Sequence, residues 1–193
     1  EKRLPVFVKE SELDPAKTSL LFSSDFNGVR DELMFELFYQ TGIRLSELIG
    51  LKDSDVSEQH IKVLGKRSKE RLIPISNQLS QTIQLFRKMK SKMNIESLKL
   101  FTRENGKDLY PTLVYRKINA ILGTLTTSDK KSPHVLRHTF ATHLLNRGTG
   151  LETLKDLLGH ANLSATQVYT HNSFAQLTAV YAQAHPRGMQ KTK

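Results

Sequence analysis

The sequence predicts a mainly helical α+β fold with one small antiparallel β-sheet. Three observations predict it. Apolar residues recur at helical spacing through several capped stretches, and only the segment 61–75 alternates with a period of two. The 193-residue chain also has the length of one domain that buries its own core. Cysteine is absent, so that core has no disulfide staple and no thiolate metal site.

Residues 1–20 read as a linker, broken by Pro5 and by Asp14-Pro15. Residues 21–188 read as the main domain and 189–193 as a tail, with the basic residues from Arg187 onward expected to be flexible. A helix is predicted over Val29–Gln40, carrying Leu33, Phe35, Leu37 and Phe38, with Gly42 as its stop. Arg44 then falls at a helix junction, before a short turn of helix at Ser46–Ile49. Ile61 and Val63 alternate with Lys62 and Leu64, a polar turn runs from Gly65 to Glu70, and Arg71 to Ile75 returns. This is a β-hairpin whose second strand Pro74 confines to an edge or an end.

Helices are predicted next at Asn77–Lys92 and Pro111–Leu122. Ser132 is placed to cap the following helix, Pro133 takes its first position and Gly148 ends it. Leu136, Phe140 and Leu144 recur every fourth residue and face the core. His134, Arg137, His138 and Ala141 share another face, and His138 and His143 read as structural. Thr149–Glu152 has the pattern of a capping box opening a helix that Gly159 closes. Ser164–Gln167 repeats the pattern, which puts Tyr169 in the second turn of its helix. A last amphipathic helix gathers Phe174, Leu177, Val180 and Tyr181 before Pro186.

The charge points to a polyanion. The chain has 29 Lys and Arg against 19 Asp and Glu, a formal charge of +10 and a pI near 9.8. Lysine and arginine at a phosphate release condensed counterions. Lys62, Lys66, Arg67, Lys69 and Arg71 are bunched on the hairpin, which makes Lys62, Arg67, Lys69 and Arg71 candidate DNA contacts. Arg87, Lys88, Lys90 and Lys92 form a second bunch. No apolar run reaches a membrane span and the N-terminus has no signal-peptide pattern, so the chain reads as soluble and cytoplasmic.

Phosphodiester displacement builds negative charge on the non-bridging oxygens, and fixed cations can stabilise it. Arg44 and Arg137 are the candidate pair, since a guanidinium grips two oxygens and stays protonated. Tyr169 offers a phenol that can form a covalent phosphotyrosine. Lys66, on the hairpin tip, is placed to protonate the leaving oxygen. His134 can accept a proton, His160 can donate to a phosphate oxygen, and Glu47 can hold Arg44 by a charge-assisted bond. Singly, each has a plain structural reading: a capping arginine, a turn lysine, a loop histidine, a half-buried tyrosine. His134 and His138 are spaced for zinc, but Val135 stands where a metalloprotease holds its glutamate. Gly65-Lys66-Arg67 is not a phosphate-binding loop, because a serine or threonine would have to follow the lysine.

Together these pieces resemble the catalytic domain of the tyrosine recombinases, the phage-integrase family, and most of all its bacterial Xer-type branch. The resemblance rests on Thr41-Gly-Ile-Arg44-Leu-Ser-Glu47-Leu, on Gly65-Lys66 with Lys69 to Pro74, on His134-Val-Leu-Arg137-His138 through His143, and on Leu158-Gly-His160 through Tyr169-Thr-His. The tail Val180-Tyr181 with His185-Pro186-Arg187 also matches that branch. The resemblance implies that Arg44 and Arg137 bind the scissile phosphate and that Lys66 is the general acid. It implies that His134 and His160 complete the pocket and that Tyr169 becomes joined to the 3′ phosphate. No metal, ATP or other cofactor is implied, and the implied place is the bacterial cytoplasm, in association with the nucleoid.

The implied partners are a double-stranded DNA recombination site and either three further copies of the chain or a paralogous recombinase, in a tetramer whose C-terminal helices pack on neighbouring protomers. The N-terminal helical domain usual in the family has no counterpart here, which implies a piece of a longer protein. Two alternatives stay open at this stage. A type IB topoisomerase shares the arginine, lysine and tyrosine chemistry, and a non-catalytic helix-turn-helix protein would use the helices either side of Gly159.

Overall fold

The computed structural model describes residues 6–65, 70–159 and 171–188. Helix α2 (Phe26–Thr41) is its axis. Asp25 caps it by accepting a hydrogen bond from the Gly28 amide at 2.7 Å. Leu33, Met34, Phe35, Leu37 and Phe38 are fully buried, because apolar residues occur on every side of the helix and neighbours enclose it. Helices α4 (Asn77–Lys92), α5 (Pro111–Leu125) and α6 (Pro133–Asn146) pack against α2. Their Phe86, Ile118 and Phe140 join the same core with Phe101. Each such side chain contributes about 1.5–3 kcal/mol relative to exposure.

Gly42 ends α2 in the left-handed region, with φ of 60°. A Cβ there would lie 2.6 Å from Phe140 Cδ1, so glycine is needed both for the turn and for the close approach of α6. The chain leaves this turn into the short helix α3 (Leu45–Gly50), with Arg44 at its N-cap.

The hairpin is present. Strand β1 (His60–Leu64) pairs antiparallel with β2 (Glu70–Pro74), in the register Ile61 to Ile73 and Val63 to Arg71. Pro74 is the last residue of β2, as its missing N–H requires. Helix α7 (Leu151–Leu158) packs on α6 and β2, and so does α8 (His171–Ala184).

The linker is docked rather than loose over its described part. It forms the short helix α1 (Pro15–Thr18) between two single turns, and Val8 and Leu13 are buried. The Val8 amide donates to Thr139 Oγ1 at 3.0 Å, and His143 Nε2 donates to the Val8 carbonyl at 2.9 Å. His143 is therefore structural, as expected. Its Nδ1 accepts from the Tyr39 hydroxyl at 3.1 Å.

Two expectations are corrected. Thr149 does not open a capping box, because Gly150 is the N-cap of α7. Thr149 instead completes the end of α6. Its amide bonds the Leu144 carbonyl and the Gly148 amide bonds that of Leu145, the paired pattern of a Schellman motif. On α8, Leu177 and Tyr181 are buried against their own domain, with the Tyr181 hydroxyl donating to Gln40 Oε1 at 3.3 Å, while Phe174 and Val180 are only partly buried. Finally, Arg187 is no part of a flexible tail. It is buried and pairs with Glu36 of α2. The capping box at Ser164 and the helix carrying Tyr169 lie outside the described residues. Among those described, no helix is long and apolar enough to cross a membrane.

Candidate active site

Three arginines from three elements come together, and two of them grip one carboxylate. Arg44 arrives on the turn after Gly42. Its amide donates to Glu47 Oε2 at 2.8 Å and its Nη1 to Oε1 at 2.7 Å, so Glu47 reaches back to the N-cap and orients the guanidinium at once. Arg71 arrives from β2. Its Nη1 and Nη2 grip the two oxygens of Glu47 at 3.0 and 2.8 Å. Arg137 arrives from α6, at the margin of the face that buries Leu136, Phe140 and Leu144. Among the described residues it has no acid of its own, and it donates to two carbonyls, those of Gly42 and, at 2.7 Å, Leu158.

The C-terminal end of α7 closes the cluster. A helix ends with carbonyls that lack intrahelical partners and carry partial negative charge. Here three successive carbonyls are each taken by a different arginine. Leu157 accepts from Arg71 Nε at 2.9 Å, Leu158 from Arg137 Nη2 at 2.7 Å and Gly159 from Arg44 Nη2 at 3.3 Å. Gly159 has φ of 65°, and a Cβ there would lie 3.0 Å from Arg71 Nη1. Glycine is therefore required for the turn and for room beside the guanidinium.

The electrostatics follow from this geometry. Burial alone would raise the Glu47 carboxyl, but the hydrogen bonds and charge of Arg71, with the bonds from Arg44, hold it at about 2. Burial and the neighbouring Arg44 and Arg71 lower Arg137 to about 10. One carboxylate faces three guanidiniums, so the cluster carries an excess of positive charge. Glu47 and Arg71 are sealed, with side chains 6% and 5% exposed, whereas that of Arg44 is 30% exposed. An anion reaching the cluster therefore meets Arg44, and Arg137 is only partly buried beside it.

Of the residues expected at the site, Arg44, Glu47 and Arg137 are brought together. His134 is exposed, one turn from Arg137 on α6. Lys66, His160, Tyr169, Arg67 and Lys69 lie outside the described residues. Lys62 is on the outer face of β1, 3.5 Å from Glu70 and 3.9 Å from Asp55. Arg71 departs from the surface place expected of a DNA contact, because it is buried in the cluster. The signal was present in the pleat: Arg71 and Ile73 are two apart and share the inner face of β2.

A helical domain with a half-buried, over-positive guanidinium cluster has the charge and donors to hold a phosphate-like anion. Residues 13–176 match the model of the phage integrase family, and the chain belongs to that family. It is 41% identical to a tyrosine recombinase XerC of Staphylococcus haemolyticus, over 100% of this chain and 66% of that protein. It is 36% identical to a tyrosine recombinase XerC of Chlorobaculum tepidum, over 97% of this chain and 63% of the relative. The chain thus spans just under two thirds of the length of these relatives. In structure it is similar to the XerA recombinase, with a TM-score of 0.72 and 29% identity over 97% of this chain and 68% of the other. Its fold also matches that of a XerH site-specific recombinase bound to a palindromic difH substrate, with a TM-score of 0.74 and 23% identity over 93% of this chain and 53% of the other. These likenesses favour neither the topoisomerase nor the helix-turn-helix alternative.

Proposed function

We propose that the chain is the catalytic part of a site-specific tyrosine recombinase that cuts and rejoins duplex DNA through a 3′-phosphotyrosine at Tyr169. The observation that carries this reading is the excess charge of the cluster: Arg44 and Arg71 share the single acid Glu47, Arg137 beside them bonds only carbonyls, and Arg44 is open to solvent. In this reading the scissile phosphate displaces the Gly159 and Leu158 carbonyls as partner of the two guanidiniums. They then stabilise the charge that develops as the phenol attacks. Lys66 protonates the leaving 5′ oxygen, and His134 and His160 exchange protons with the phenol and a phosphate oxygen. The phosphotyrosine conserves the energy of the broken bond, so a second 5′ hydroxyl reverses the step without ATP. Lys62, Arg67 and Lys69 steer the duplex.

The protein would act in the bacterial cytoplasm, as a tetramer of one chain or with a paralogue. In such an assembly α8 would offer the partly exposed Phe174 and Val180 to a neighbouring protomer. The test is a suicide duplex, nicked beside the cleavage point and built on a recombination site recovered from the source genome. A covalent protein–DNA adduct is expected with the parent chain and none with Tyr169→Phe. An adduct that survives Tyr169→Phe removes the nucleophile assignment, and no adduct in either removes the reading.

A further inference from the structure

We propose that Arg71 is a positioning residue: from the core side of β2 it locks the Glu47 carboxylate, and through it the Arg44 guanidinium, in the orientation that receives a phosphate. The proposal rests on Arg44 being a phosphate ligand. Arg71 does not touch the DNA. It is 4% exposed, and strand pleating turns it inward beside Ile73, opposite Val63.

The hydrogen bonds state its task. A carboxylate offers about four acceptor sites. Glu47 fills them with four N–H donors: Arg71 Nη1 and Nη2, Arg44 Nη1 and the Arg44 amide. The plane of the carboxylate is thereby fixed by two elements at once, the start of α3 and the strand β2. Arg71 Nε adds a third by holding the Leu157 carbonyl at 2.9 Å. Without Arg71, two acceptor sites open, the carboxylate is free to rotate, and Arg44 loses the rigid side of its clamp. A buried ion pair is an expensive way to gain stability, because its desolvation offsets its attraction. Its value here is geometric, since displacement of a catalytic group by about 1 Å costs on the order of 100-fold in rate. Lysine is no substitute, because a point charge cannot bridge both oxygens.

The charged groups facing Glu47 among the described residues are Arg44 from α3, Arg71 from β2 and Arg137 from α6. Loss of Arg71 leaves a buried carboxyl with fewer bonds to its charged form, and so one more easily protonated.

The experiment compares the parent chain with Arg71→Gln and Arg71→Lys. It measures single-turnover adduct formation from pH 5 to 9, affinity for the uncut duplex, thermal stability, the ¹³C titration of the Glu47 carboxyl and the rotation of the Arg44 guanidinium by ¹⁵N NMR. In Arg71→Gln, adduct formation should fall on the order of 10- to 100-fold while DNA affinity stays within about threefold. The rate should gain an acid limb, the Glu47 titration should move up in pH, and the Arg44 guanidinium should rotate faster. Arg71→Lys should return the pH profile toward that of the parent without restoring the rate.

Affinity and rate falling in proportion would make Arg71 a DNA ligand and overturn the proposal. So would a rate loss fully explained by unfolding, or a Glu47 titration and Arg44 rotation unchanged in Arg71→Gln. The two NMR readouts need no activity. An inactive parent chain would therefore sink the recombinase reading and still leave Arg71 decided.

Discussion

Arg71 and Arg187 are both buried, both grip a glutamate with two nitrogens, and they do different work. Arg187 is matched one to one. Its Nε and Nη2 meet Glu36 at 3.1 and 2.9 Å, its Nη1 meets the Leu13 carbonyl at 2.9 Å, and its guanidinium stacks on the Tyr39 ring 5.2 Å from the centroid. Beside it, His185 donates from Nε2 to the Tyr39 carbonyl and accepts at Nδ1 from the Arg187 amide. Every charge and donor there closes on the protein, so this hub staples the chain's end to α2 and to the linker. Arg71 shares its glutamate with Arg44, and Arg137 beside them has no acid among the described residues. What separates a staple from a site is the charge left over.

The largest test of that contrast is Arg187→Ala. It strands Glu36, whose side chain is 14% exposed, and breaking one side of a buried pair costs about 3–5 kcal/mol. Urea unfolding should show the loss, while the Glu47 titration stays where it is in the parent. A shifted Glu47 titration would mean that the two regions are one network.

Acid should separate the regions next. Burial holds His185 at about 3, with the charges of Arg187, His143 and Arg147 acting in the same direction against the bond to Tyr39. Its folded pKa lies below the unfolded value, so the unfolded chain takes up the proton first. The stability from the neutral ring is complete above about pH 6.5 and is lost as pH falls towards 3, about 2 kcal/mol of it by pH 5. The contribution of Glu47 is complete above about pH 4.5 and is lost only as pH falls towards 2. The tail hub should therefore loosen before the arginine cluster. Denaturant midpoints between pH 7.5 and 4 should fall less steeply in His185→Phe than in the parent. Equal slopes would remove His185 as the cause.

The smallest effect belongs to Lys62→Ala. Its ion pairs are long and its side chain is 41% exposed, so stability should change by less than about 0.5 kcal/mol in thermal unfolding. A larger loss would make the outer face of β1 part of the buried network.

Much of the fold was legible because it is written in local chemistry. The helix over 77–92, the stop at Gly42, the proline start of α6 and the hairpin ending at Pro74 each follow from residues within a few positions of one another. Thr149 was misread for the same reason. Thr149–Glu152 spells a helix start, but the same threonine also stands three places past the end of α6, and that end claimed its amide. Leu177 and Tyr181 were read correctly as one apolar face, but nothing local says which surface covers it.

What the sequence determined by itself was the set of elements and the chemistry available: which residues are helical, which turn, and that arginines, histidines and a tyrosine recur in a basic chain. The tertiary structure decided which charges are spent and which are left. Arg71 and Glu47 are 24 positions apart, and Arg187 and Glu36 are 151 apart. A guanidinium's role depends on the carboxylates and carbonyls within about 3 Å of it, and only the folded core brings those groups that close.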